Sequence, residues 1–268
     1  MTMKRVRPPG ILPLELWDLL LPDGSILWDY MQSSQFGDLL HAVISQTWHG
    51  TAMTQSEGKV SETIRHFHTL YLTGGGAPAV LEAMKQGPWQ QNILAKDTTF
   101  GAVAGGQHLL NAHDLRGWVL DVGQSGFKIS DDSTRLQSAR DWNLLPLRED
   151  VLTLDINEQR IALRQSLAGL LRQMHEATGT WPEAIVTALP SRLDDQGLPE
   201  GSSYAGMEGD IHLIPDAMKL AGVPEVPLFV LNDAELAAVS AQAEFDLPGP
   251  TLVLTIGFGV GGAFIRPS

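Results

Sequence analysis

The sequence predicts an α/β protein, and three observations carry that prediction. Apolar strand-like runs alternate with helix-like stretches along most of the chain. Three of those runs feed directly into glycine turns: Asp121-Val122 into Gly123, Thr73 into Gly74 to Gly76, and Ile256 into Gly257 to Gly262. A content of 43% hydrophobic and 18% charged residues over 268 positions matches a globular chain with a sizeable core. That length suits one large domain or two small ones.

Taken in order, Phe36 to Trp48 places Phe36, Leu39, Leu40, Val43 and Ile44 at helical spacing. Thr69 to Thr73 reads as a short buried strand running into glycines. Pro78 suits the first turn of a helix through Met84, because its missing N–H costs nothing there. "TTFGAVAGGQHLL" reads as a helix whose small residues suit close packing. Trp118 to Val122 is a strand, followed by a tight glycine turn and a second strand. Asn157 to Thr178 is a long helix with Ile161, Leu163, Leu167, Leu170, Leu171 and Met174 on a stripe. "EAIVTALP" is a buried strand and "SRLDDQGLPEGSSYAGMEGD" a polar loop. "IPDAMKLAG" is a helix, "VPLFVLND" a strand and "AELAAVSAQAEF" a helix. The final run, "GPTLVLTIGFGVGGAFI", is a strand, a glycine turn and a returning strand. Asn111 to Gly117 and Asp246 to Pro250 are the candidate boundaries.

Composition narrows the partners. A net charge of −13 argues against nucleic acid or an anionic membrane surface, though backbone amides, a local cation and Mg²⁺ can still carry a nucleotide. Without cysteine the chain has no disulfide, zinc thiolate or cysteine nucleophile. The basic start "MTMKRVRPPG" is followed by no apolar run of about 20 residues, so a cytoplasmic protein is expected. Homo-oligomerisation is compatible with all of this. His66 and His68 flank Phe67 at strand spacing, but no third metal ligand accompanies them.

Glycines that follow a strand let backbone N–H groups approach a phosphate closely. Gly257 to Gly262 fits G-x-G-x-x-G, but only Ala263 to Ser268 follow, which leaves no helix to complete a dinucleotide site. No G-x-x-x-x-G-K-[ST] sequence is present. A fourth strand ends on Asn232-Asp233, and ligands of open α/β sheets gather at such carboxyl ends. Read alone, Asp121 is equally an acid that caps its turn, and Asp233 equally the N-cap of the helix Ala234 to Glu244.

Six segments together resemble the sugar kinase, actin and heat-shock ATPase superfamily, and most closely the ROK branch of sugar kinases. "LDVGQSGFKI" resembles the first phosphate motif, and "VPLFVLNDAELAAVSAQAE" the segment that carries the catalytic acid. "LVLTIGFGVGGAFI" resembles the second phosphate motif, and "AIVTALPSRLDDQG" a strand-Pro-Gly-x-x-Asp segment. "LYLTGGGAPAVLEAM" resembles the adenosine motif, and "FGAVAGGQHLL" the closing helix. Their order differs from the family's, because the adenosine motif precedes the first phosphate motif here and the second phosphate motif comes last. A circular permutation reconciles the two orders, with residues from about Gly10 to Tyr30 supplying strands that normally follow the second phosphate hairpin.

The resemblance implies a two-lobed actin-like ATPase, or ribonuclease H-like, fold with mixed sheets and flanking helices. One lobe would hold residues 1–113 and 249–268, the other 114–248, with ATP and Mg²⁺ in the cleft between them. The implied activity is an ATP-dependent phosphotransferase for a sugar or similar small hydroxyl compound. The alternative is an ATP-binding sensor, regulator or actin-like ATPase. Asp233 would be the general base, Asp121 would hold Mg²⁺, and Asn232 and Asp194 would contact substrate. Gly123, Gln124, Ser125, Gly126 and Lys128 would meet the β- and γ-phosphates. Gly257, Phe258, Gly259 and Gly261 would wrap the γ-phosphate, and Gly74, Gly75 and Gly76 would line the adenosine pocket. Lys128 is equally an exposed strand residue on its own pattern. The branch's Cys-rich zinc motif and Glu-x-Gly-His sugar contact are absent, and Phe258 stands where the family carries Thr.

Overall fold

In the computed structural model of this chain, residues 3–14, 67–84, 91–145, 155–200, 204–257 and 260–266 are described. The helix expected over Phe36 to Trp48, His66, and Trp17, Trp28, Trp48 and Trp89 lie outside them, as do Phe258 and Gly259. Five α-helices occur among the described residues: α1 (Ala77–Met84), α2 (Gly101–Ala112), α3 (Ile156–Thr178), α4 (Leu213–Ala221) and α5 (Asp233–Glu244).

β1 (Met3–Arg5) and β2 (Ile11–Leu14) are short, and they join different sheets. β3 (Thr69–Thr73) is buried at every position, and β4 (Gln91–Leu94) runs parallel beside it. β5 (Gly117–Val122) is likewise buried throughout, as an apolar run inside a sheet must be. It turns back into β6 (Gly126–Ser130), and β6 pairs antiparallel with β7 (Arg135–Ala139), a strand of alternating exposure. On its other side β5 runs parallel to β8 (Ala184–Leu189), and β8 runs parallel to β11 (Leu228–Asn232). Between them, β9 (Arg192–Leu193) and β10 (Pro199–Glu200) form a small hairpin within the segment expected to be a plain loop. β12 (Thr251–Ile256) and β13 (Val260–Ile265) form the expected final hairpin.

The first sheet therefore runs β1-β11-β8-β5-β6-β7, and the second β2-β13-β12-β3-β4. Both follow one pattern. An antiparallel trio (β7-β6-β5, or β2-β13-β12) continues into two further strands parallel to its last member (β8 and β11, or β3 and β4). In the first sheet the trio is continuous in sequence. In the second, its third strand comes from the other end of the chain: β2 pairs with β13, and the Arg266 N–H donates to the Gly10 carbonyl at 2.9 Å.

The core of the first sheet forms where α3 and α4 cover one face. Asp155 caps α3 by accepting the Asn157 N–H at 2.8 Å, and Gly179 ends it in the left-handed conformation. Leu163, Leu167, Leu170, Leu171 and Met174 are buried against Trp118, Leu120, Ile185, Leu228 and Val230. Ile161, read as part of that stripe, is exposed instead. Trp181 lies against Trp118, while Trp142 is half exposed and stacks on Arg140. Small residues bring α2 against Val119 of β5 at Gly106. In the second sheet Leu70, Leu72, Leu252, Leu254, Ile256 and Phe264 form a separate core with Ala77 and Val80 of α1.

The chain divides into two compact units, Met1–Arg7 with Ala102–Leu236, and Pro8–Gly101 with Ala237–Ser268. The sequence expectation placed the divisions near 113 and 249 and kept the N-terminus with the adenosine segment. Here they fall within α2 and α5, and β1 joins the unit that holds Asp121. No helix among the described residues is long and apolar enough to cross a membrane.

β1 is fastened by charge as well as by pairing. The Arg5 guanidinium lies 2.7 Å from the Glu235 carboxylate, with side-chain exposures of only 5% and 0%. Removing one partner strands the other in the interior. Arg5→Ala is therefore expected to destabilise the fold by about 3–5 kcal/mol, with Glu235→Gln in the same chain recovering part of that loss. Urea unfolding of the two variants checks this.

Candidate functional site

Parallel pairing brings the carboxyl ends of β5, β8 and β11 to one edge of the first sheet. Asp121 pairs in register with Ala188, and Leu189 with Asn232. Asp121, the turn Gly123 to Gly126, the segment after Leu189, and Asn232-Asp233 all emerge there. Three of the predicted catalytic or binding segments are thus gathered by strand polarity alone.

Asp121 is 7% exposed, and the Lys128 ammonium lies 3.1 Å from its Oδ2 across the β5–β6 register. Lys128 is thus half-buried and paired with Asp121 rather than an exposed strand residue. Ser125 at the tip of the turn is exposed. Gly126 must be glycine because a Cβ there would meet the Ser138 carbonyl oxygen at 2.4 Å.

The turn is held from one side. The Gly123 carbonyl accepts from the Tyr204 hydroxyl at 2.6 Å, and the Gln124 carbonyl from Arg140 Nη1 at 2.7 Å and from Tyr204 at 3.2 Å. The Ser125 carbonyl accepts from the Arg140 backbone N–H at 3.3 Å. Arg140 is only 4% exposed. Its Nε donates to the Leu145 carbonyl, and its guanidinium lies 3.9 Å from the Trp142 ring centroid and 5.0 Å from that of Tyr204. Burial pushes the Tyr204 hydroxyl up to about 12, so it stays a donor at neutral pH.

Asn232 and Glu235 form a capping box. Asn232 Oδ1 accepts the Ala234 N–H at 2.9 Å, and Glu235 reaches back to the Asn232 N–H at 2.9 Å. Asn232 Nδ2 donates to the Ser191 carbonyl at 2.9 Å. The side chain expected to hold substrate is therefore committed to the fold. It ties β8's outgoing loop to the start of α5. The cap expected at Asp233 also moves back one residue, and Asp233 becomes the first helical position, half-buried, its Oδ1 2.8 Å from the Ala234 nitrogen.

Asp194 serves its own turn. Its Oδ1 accepts the N–H groups of Gln196 and Leu198, each at 2.8 Å, closing the β9–β10 hairpin. The polar segment beyond it is anchored rather than loose. Arg164 meets Asp210 at 2.7 Å, and Arg160 donates to the carbonyls of Gly206 and Glu208 at 3.2 and 3.0 Å. Tyr204 and Met207 are buried.

In the second sheet, β12, β3 and β4 are parallel, so Gly257 and Gly74 to Gly76 leave the same edge. The Gly76 N–H donates to the Ile256 carbonyl at 3.0 Å. Gly74 has φ +93°, and a Cβ there would lie 2.2 Å from that carbonyl oxygen. Gly74 and Gly76 thus lie against Ile256, the residue before Gly257. Gly75 is exposed, and Gly261 pairs with Thr255 inside the hairpin.

No group of three His, Asp or Glu side chains suited to a metal occurs among the described residues. Asp121 offers one carboxylate, which fits Mg²⁺ held mainly by phosphate oxygens and water. A cavity of ≈ 490 Å³ lined by Lys4, His113, Val186 and Phe229 includes neither Asp121 nor Asp233.

Four residues of this edge were missed by sequence reasoning: Arg5, Arg140, Tyr204 and Glu235. Glu235 alone had a local signal, the Asn-x-x-Glu spacing of a capping box. The others reach the site from distant segments.

Two outcomes follow. Burial raises both Tyr71 and Tyr204 from 10.0 to about 12, so the folded state holds these protons more tightly than the unfolded chain. Their contribution is complete below pH 10 and is lost as pH rises towards 12. Stability should fall across that window, and less steeply in Tyr204→Phe when compared by urea unfolding at each pH. Gly74→Ala should cost about 2–4 kcal/mol, because both its backbone conformation and the Ile256 carbonyl oppose a Cβ.

No family model matches the chain and no curated protein matches its sequence, so the chemistry of this edge rests on its own residues.

Proposed function

We propose that the protein is an ATP-dependent phosphotransferase acting on the hydroxyl of a sugar or similar small molecule, built on a circularly permuted fold of the sugar kinase and actin type. One observation carries this reading: Asp121, the braced glycine turn and Asp233 leave the same carboxyl edge of one sheet. The repeated strand pattern, with its β13–β2 pairing between chain ends, supports the permutation. So does the contact between the Gly74 to Gly76 loop and Ile256.

In this reading the amides of Gln124, Ser125 and Gly126 hold the nucleotide's phosphates. Asp121 would hold Mg²⁺, which would neutralise charge on the transferring phosphoryl group, with Lys128 at 3.1 Å holding that carboxylate in place. Asp233 accepts the proton of the attacking hydroxyl. Asn232 positions Asp233 through the capping box rather than touching substrate.

A second reading, a nucleotide-binding regulator or ATPase of the same fold, is favoured by the internal commitments of Asn232 and Asp194. A coupled ADP-release assay against a panel of sugars and polyols separates the two. The kinase reading expects hydroxyl-stimulated turnover that falls about a hundredfold to ten-thousandfold in Asp233→Ala. Absence of stimulated turnover, or an unchanged rate in that variant, would overturn it. Nucleotide binding without stimulated turnover would leave the second reading.

A further inference from the structure

We infer that Arg140 and Tyr204 are positioning residues for a bound phosphate group, holding the turn's carbonyls inward so that its amides face an anion. This rests on reading the 123–126 turn as a phosphate site.

The geometry follows from the peptide bond. In a trans peptide the carbonyl of one residue and the N–H of the next point in opposite directions. The side chains of Tyr204 and Arg140 take the carbonyls of Gly123 and Gln124, and the Arg140 backbone N–H takes that of Ser125. The N–H groups of Gln124, Ser125 and Gly126 are thereby turned to the other side. Successive N–H groups presented on one side of a turn can line an anion-binding concavity.

Charge is the second, independent observation. Arg140 is a cation with 4% exposure, and among the described residues no carboxylate pairs with it. Its Nη2 is buried without a hydrogen-bond partner among them. A buried guanidinium without a countercharge is costly in a hairpin that serves only as structure. A phosphate on the far side of the turn supplies that countercharge.

The brace also links the turn to a second segment. Tyr204 belongs to the stretch that Arg160 and Arg164 fasten to α3 through Gly206, Glu208 and Asp210. The position of the phosphate turn is therefore set from the body of the protein and not by the turn's own residues.

The test uses full-length protein and calorimetric titration with MgADP, adenosine and pyrophosphate. Wild type is compared with Tyr204→Phe and Arg140→Lys, and thermal melting verifies that each variant is folded. MgADP affinity should fall about threefold to tenfold in each variant, while adenosine affinity stays unchanged. A merely structural role would weaken both ligands alike. Unchanged MgADP affinity in folded variants, or equal losses for ADP and adenosine, would overturn the inference. If Arg140→Lys does not fold, Tyr204→Phe decides alone. Wild-type binding of pyrophosphate but not ADP, lost in the variants, keeps the brace and overturns the nucleotide reading. Binding of no phosphate ligand by wild type overturns both.

Discussion

Parallel pairing forces neighbouring strands to release their loops at the same edge, and this constraint organises the chain twice. In the first sheet it gathers the ends of β5, β8 and β11, which carry Asp121, the segment after Leu189, and Asn232-Asp233. In the second it gathers the ends of β12 and β3, which carry Gly257 and Gly74. Residues more than 100 positions apart in sequence become neighbours without any side chain having to arrange it. In the first sheet the antiparallel trio adds a glycine turn at that same edge, too crowded at Gly126 for any side chain.

Strand polarity brings the segments together, and buried polar groups fix their orientation. Glu235 is fully buried and serves two partners, the Arg5 guanidinium and the Asn232 N–H. One carboxylate thus joins the edge strand β1 to the cap that starts α5 beside Asp233. Arg140 does the equivalent work for the turn, contacting Gln124, Leu145 and the rings of Trp142 and Tyr204. Burying charge is unfavourable unless each group is paired or bonded. That cost keeps these arrangements narrow, so the edge is held in one geometry.

Most of the regular elements could be read from the sequence, because they follow from period and punctuation. The mostly apolar runs at Thr69–Thr73, Gly117–Val122, Ala184–Leu189 and Thr251–Ile256 read as central strands. The stripe and caps of α3 similarly announced a helix. What escaped was non-local or short. β1 is three residues of mixed character whose place depends on β11, over 200 positions away. β7 is polar on its exposed face and carries little apolar signal. Within the site, Asp121 and Asp233 could be proposed from their strand-end positions. The internal bonds of Asn232, Asp194 and Lys128 could not, because each depends on which backbone group or carboxylate the fold sets beside it. Tyr204 lay in a stretch that composition marks as a polar loop, yet its ring is buried and its hydroxyl meets a turn 80 residues away.

A crystal structure with Mg²⁺ and a non-hydrolysable ATP analogue tests the central claim most directly. The predicted result is phosphate oxygens at hydrogen-bond distance, about 2.7–3.2 Å, from the amide nitrogens of Gln124, Ser125 and Gly126, with the metal beside Asp121. A nucleotide bound elsewhere with that turn empty, or a turn whose amides face away from the phosphates, would contradict it.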